Sequence, residues 1–125
     1  MISIIDDDAS VREGIERLVR SLGHRVAVFS SAEEYLQSAR VHDSACLITD
    51  LNMPGMSGAA LQDRLLADGC ATPIIFMTAY FEEKVRAQVL DAGASGFLRK
   101  PFADDSLIEC LDKALEDSDH KPTKQ

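Results

Sequence analysis

Cys46-Leu47-Ile48-Thr49-Asp50-Leu51-Asn52-Met53-Pro54-Gly55 is the stretch on which the reading of this chain turns. Its first four residues carry no charge and the first three are apolar at successive positions, the pattern of a strand covered on both faces, as in a parallel sheet. The run then stops at an acid and enters a Pro-Gly turn. An acid in that place is either a cap for the next element or a carboxylate aimed into a crevice. Leu61, Leu65 and Leu66 follow at helical spacing, so the unit reads strand, turn, helix.

The same alternation extends in both directions. Ile2-Ser3-Ile4-Ile5 reads as a strand, followed by a helix with Val11, Ile15, Leu18, Val19 and Leu22 on one face and Gly23 as its stop. Val26-Ala27-Val28-Phe29 is a second strand, and Ser31 with Glu34 three residues on is a capping box for a helix holding Tyr35 and Leu36. Downstream, Pro73 opens the strand Ile74-Ile75-Phe76-Met77, and a helix with Val85, Val89 and Leu90 ends at Gly93. Gly96-Phe97-Leu98 is a short fifth strand, and Leu107, Ile108, Leu111, Ala114 and Leu115 mark a last amphipathic helix. Five strands alternating with five helices predict an α/β, doubly wound (βα)5 sandwich with a mostly parallel sheet. The expected domain is 1–117, with 118–125 a polar tail or the start of a linker.

Composition narrows the function classes. A chain of 125 residues builds one core. With 46% hydrophobic and 27% charged residues it has the balance of a soluble globular domain, and no apolar run approaches a membrane span. A net charge of -8 argues against a nucleic-acid surface on this domain, which needs clustered Lys and Arg. Cys46, Cys70 and Cys110 are odd in number, widely spaced and free of any CxxC pair, so they are expected as buried free thiols in a cytoplasmic protein. The apolar start runs directly into Asp6, Asp7 and Asp8, which no signal peptide does.

In doubly wound sheets ligands bind beyond the carboxyl ends of the strands. The unusual polar residues fall there: Asp6 and Asp7 after strand one, Asp50 at the end of strand three, Thr78 at the end of strand four, Lys100 after strand five. Carboxylates about 4 Å apart repel by roughly 4 kcal/mol at an effective dielectric near 20. A group of three therefore calls for a proton, good solvation or a cation, and oxygen ligands suit a hard divalent ion such as Mg2+. Asp8 is expected to cap the first helix, and Asp7 to bind metal. Asp50 beside a cation has the makings of a carboxylate nucleophile for phosphoryl transfer, with Lys100 as a point charge and Thr78 as a hydroxyl donor.

Taken in order, Ile5-Asp6-Asp7, Thr49 to Gly55, Ser57-Gly58, Met77-Thr78-Ala79, Ala92-Gly93-Ala94 and Lys100-Pro101-Phe102 resemble the receiver domain of bacterial two-component response regulators. This is the chemotaxis-regulator-like fold, and the details resemble the FixJ-type branch. The resemblance runs from about Ile2 to about Leu115 and implies a flavodoxin-like strand order, 2-1-3-4-5. It implies that Asp50 accepts a phosphoryl group from a sensor histidine kinase. It also implies that Asp7, Asp50 and the backbone carbonyl of Asn52 bind Mg2+ or Mn2+, with Asp6 acting through water. Thr78 and Lys100 would grip the phosphoryl group, and Lys100-Pro101 would be a cis peptide. Phe97 takes the place of the family's switch aromatic, commonly tyrosine; without a hydroxyl its movement rests on packing alone, and permanent core is the other reading.

The resemblance further implies a changed surface around residues 82–116, phosphorylation-dependent homodimerisation and a C-terminal DNA-binding output domain. Asn52 and Tyr80 lie where the family tunes its chemistry, and Tyr80 is either a shield for the acyl phosphate or, with Phe81, a partner-facing pair. The protein is expected to be a switch rather than an enzyme, assisting only its own phosphorylation and dephosphorylation. A Mg2+-dependent phosphatase is the rival, but Asp50-Leu51-Asn52 lacks the second acid of DxDx[TV] and 125 residues leave little for the cap such enzymes need. A phosphorylation-independent binding module is the third reading, and the intact set of site residues counts against it.

Overall fold

A computed structural model describes residues 1–120. Five strands, β1 (Ile2–Ile5), β2 (Val26–Phe29), β3 (Cys46–Asp50), β4 (Ile74–Thr78) and β5 (Gly96–Arg99), form one sheet in the order β2-β1-β3-β4-β5. Every pairing is parallel. Five helices connect them: α1 (Ala9–Ser21), α2 (Ala32–Leu36), α3 (Gly58–Ala67), α4 (Glu83–Asp91) and α5 (Asp104–His120). The expected flavodoxin-like, doubly wound architecture is therefore present. A 3-10 turn at Ala39–His42, capped by Ser38, was not expected from the sequence. Because α5 runs to His120, the polar segment expected at 118–125 is helical at its start and otherwise lies outside the described residues.

Alternation along the strands divides the core into two. Ile2, Ile4, Cys46, Ile48, Ile75, Met77 and Leu98 pack under Ile15 and Val19 of α1 and Leu107, Leu111 and Ala114 of α5. Ile5, Leu47, Ile74 and Phe76 pack on the other face under α2, α3 and α4, through Tyr35, Leu61, Leu65 and Val89. Leu66, expected on the buried face of α3, is 51% exposed, since Leu61 and Leu65 already occupy that stripe. Of the three thiols only Cys46 is buried; Cys70 and Cys110 are half-buried, which corrects the expectation of three buried ones.

The helix starts follow their sequence signals. Asp8 caps α1, its carboxylate accepting from the N–H groups of Ser10 and Val11. Ser31 accepts from Glu34 N–H at 3.0 Å, while the Glu34 carboxylate reaches back to Ser30 N–H at 2.8 Å rather than to Ser31. Gly23 and Gly93 end α1 and α4 at φ 95° and 110°, where a side chain would be strained.

Candidate functional site

In-register parallel pairing places the carboxyl ends of β1, β3, β4 and β5 side by side. Asp50 pairs in register with Met77, Ile5 with Thr49 and Thr78 with Arg99. The residues expected at the strand ends do converge. Carboxylate oxygens of Asp6, Asp7 and Asp50 all lie within 4.8 Å of one another, with Asp6 and Asp50 buried and Asp7 exposed. The Lys100 ammonium, arriving from beyond β5, donates to Asp6 Oδ2 at 2.9 Å and stands 3.6 Å from Asp50 Oδ2. The Lys100-Pro101 peptide is cis.

Each acid is held differently. Asp6 is fully buried; its Oδ1 accepts from Asp8 N–H at 2.9 Å and its Oδ2 from Lys100. Its backbone carbonyl accepts from Arg12 Nη1 at 2.7 Å, so a guanidinium from α1 clamps the loop that carries the acid pair. Asp50 is less encumbered, with one long contact from Asn52 N–H at 3.4 Å. Burial pushes the Asp50 carboxyl above its ordinary range, Lys100 opposes that shift, and Asp6 and Asp7 add to it. For Lys100, burial alone would depress the ammonium. The hydrogen bond to Asp6 and the charges of Asp50 and Asp6 outweigh it and hold the ammonium above its ordinary range.

The acid cluster fits a hard divalent cation. Three carboxylates face a single ammonium, and the donor set is all oxygen, with no thiol or imidazole to favour a softer metal. Gly58 shapes the floor: a Cβ there would come 2.7 Å from the Asp50 carbonyl oxygen and 3.0 Å from Leu51 Cα. Only glycine lets the start of α3 sit that close to Asp50.

Thr78 is fully buried and its hydroxyl lies 2.7 Å from Asn52 Oδ1, while Tyr80 N–H donates to Thr78 Oγ1 at 3.0 Å. Phe97, which pairs in register with Phe76 of β4, is half-buried and meets Phe81 edge-on at 6.1 Å between ring centroids. The Arg99 guanidinium covers Phe81 at 4.7 Å. Tyr80 is 75% exposed and points away from this packing. Arg12, the Asn52 side chain and the Phe81–Arg99 stack were not found by sequence reasoning. Each depends on where a long side chain lands across elements, which no local spacing encodes.

A sequence profile described as the response regulator receiver domain matches residues 2–112. The chain belongs to that family. Response regulator protein TmoT of Ectopseudomonas mendocina is 39% identical to the receiver over 93% of this chain and 53% of its own length. Transcriptional regulatory protein FixJ of Bradyrhizobium diazoefficiens is 32% identical over 94% of this chain and 58% of its own. Among solved structures, response regulator StyR superposes with a TM-score of 0.90 at 37% identity, covering 97% of this chain and 61% of that one. The receiver spans about half the length of the curated relatives it matches. Its function class is that of the family, a phosphorylation-activated signalling switch. Among the described residues no helix is long and apolar enough to cross a membrane.

Proposed function

We propose that Asp50 is the phosphoacceptor and that the receiver takes its phosphoryl group from a phosphohistidine on a partner sensor kinase. The observation that carries this reading is the meeting of three carboxylates and one ammonium at the strand ends, with Asp50, of the two buried acids, the less tightly hydrogen-bonded. An Asp50 oxygen attacks phosphorus, forming the O–P bond as the N–P bond breaks. The imidazole leaves with the electron pair and gains a proton from water. Asp7, Asp50 and the Asn52 backbone carbonyl would hold Mg2+ or Mn2+, with Asp6 acting through water. The ion would neutralise charge on the transferring oxygens.

Lys100 supplies a positive charge within 3.6 Å of the acceptor, and its tether to Asp6 fixes where that charge sits. The phosphoryl group adds about -2 charge and three acceptor oxygens to the crevice. Thr78 and Lys100 turn to meet it, Phe97 follows the vacated space, and the surface over residues 82–116 is rearranged. The output is homodimerisation through that surface and control of transcription through an effector, attached or separate, in the cytoplasm. The relatives named as transcriptional regulators support this reading. The receiver's only chemistry is its own charging and discharging.

Intact mass after incubation with Mg2+ and acetyl phosphate tests the acceptor. One phosphoryl group should be gained, lost in Asp50→Ala and suppressed by a chelator. No adduct in the parent, or an equal one in Asp50→Ala, sinks the assignment. Sustained turnover of phosphate esters would favour the phosphatase reading instead. Lys100→Ala should still take up phosphoryl but show a smaller concentration-dependent increase in size; parental dimerisation would remove lysine from the signal path.

A further inference from the structure

The Thr78 hydroxyl has one proton, and its shortest contact places that proton on Asn52 Oδ1, 2.7 Å away. The backbone carbonyl of Tyr80 is the longer alternative at 3.2 Å, and Tyr80 N–H donates into the same hydroxyl oxygen at 3.0 Å. Thr78 itself is fully buried, so water offers little competition for that proton. Asn52 is exposed and sits in the turn after β3, with Thr78 26 positions further along the chain, so the bond ties one strand end to the next. A threonine that is to donate to a phosphoryl oxygen on Asp50 must first give up this bond.

Resting on the reading of Asp50 as phosphoacceptor, we propose that the Asn52 side chain is a positioning residue that holds Thr78 in the uncharged state and so sets how readily the receiver switches. The role belongs to the amide oxygen and is separate from any contribution of the Asn52 backbone carbonyl to a metal. It acts as a competitor: each phosphoryl oxygen that Thr78 can reach is matched against Asn52 Oδ1 for the same proton. A weaker competitor shifts the population toward the charged conformation, and the shift is limited to the difference between the two bonds.

The test is a double-mutant cycle read by affinity for beryllofluoride, a phosphoryl mimic, at saturating Mg2+. The parent receiver, Asn52→Ala, Thr78→Val and the double variant are compared, with Mg2+ affinity measured separately for each. Asn52→Ala should bind beryllofluoride about 3–10-fold more tightly, the range of one neutral hydrogen bond released. The same substitution in the Thr78→Val background should change the affinity less than twofold, because no hydroxyl remains to hold. Without beryllofluoride, the Thr78 methyl carbon signal of Asn52→Ala should already lie displaced toward its bound position. A gain below twofold in Asn52→Ala, or a gain that persists in the Thr78→Val background, overturns the latch while leaving the acceptor in place. Failure of the parent receiver to bind beryllofluoride at all would instead remove the acceptor reading, and the latch with it.

Discussion

The two helices that cover opposite faces of the sheet at its β4–β5 edge, α5 and α4, are built to different standards. Over one face α5 lays down Leu107, Leu111 and Ala114, all fully buried, beside Ile15 and Val19 of α1. Over the other, α4 contributes a single buried residue, Val89, and the packing around it is finished by half-buried Val85, Ala94 and Phe97. The N-terminus of α4 also lacks a side-chain cap, Glu82 making no such bond, whereas α1, α2 and α3 are each capped. A polar tie, Gln62 Nε2 to Val89 carbonyl at 3.0 Å, does part of the holding there. The acid pair and its lysine anchor thus stand on a closely packed base, while Thr78 and Phe97 lie on the face with room to rearrange.

The largest effect that can break this comparison is a cavity. Leu111→Ala should cost about 2–5 kcal/mol in urea denaturation, whereas Val85→Ala, on a half-buried position of α4, should cost less than about 1.5 kcal/mol. Equal losses would mean that α4 is held as firmly as α5. Next comes the floor of the site. Gly58→Ala should destabilise by about 1–3 kcal/mol and weaken Mg2+ binding, because backbone at Asp50 and Leu51 must move to admit the methyl group. Unchanged Mg2+ affinity would show that α3 does not locate Asp50.

A smaller effect sharpens the comparison through pH. Burial pushes the Cys46 thiol, under the closely packed face, from an ordinary value near 9 up to about 12. The raised value means that the folded state keeps a proton the unfolded chain releases. The associated stability is full below pH 9 and is lost progressively as pH rises toward 12. By pH 10 the loss should be roughly 1 kcal/mol, and Cys46→Val should remove that part of the alkaline slope. An identical slope in the variant would mean that this core admits water. Least of all, Arg20→Ala, which breaks the exposed pair with Glu16, should change stability by less than about 0.5 kcal/mol.

Much of this was legible beforehand because the signals are local. Apolar runs located all five strands, and Asp8, Ser31, Gly23 and Gly93 marked helix ends through chemistry contained within a turn. The convergence of Asp6, Asp7, Asp50 and Lys100 followed from the direction of a parallel sheet, before any side chain was placed. What escaped was contact between elements. Nothing near Arg12 announces that it will reach the Asp6 carbonyl, and nothing near Asn52 that its amide will take the Thr78 proton. Gln62 reads as a surface residue by type and is 4% exposed. Leu66 errs the opposite way, apolar yet outward, since a stripe of limited width had already been filled.

The pair formed by Lys100 and Asp6 joins residues 94 positions apart, nearly the whole length of the domain. A nascent or nicked chain holding only the first three strands would possess Asp50 and both its acid neighbours, yet neither Thr78 nor the balancing ammonium. The cluster of three acids and one ammonium is thus complete only once the segment after β5 has docked.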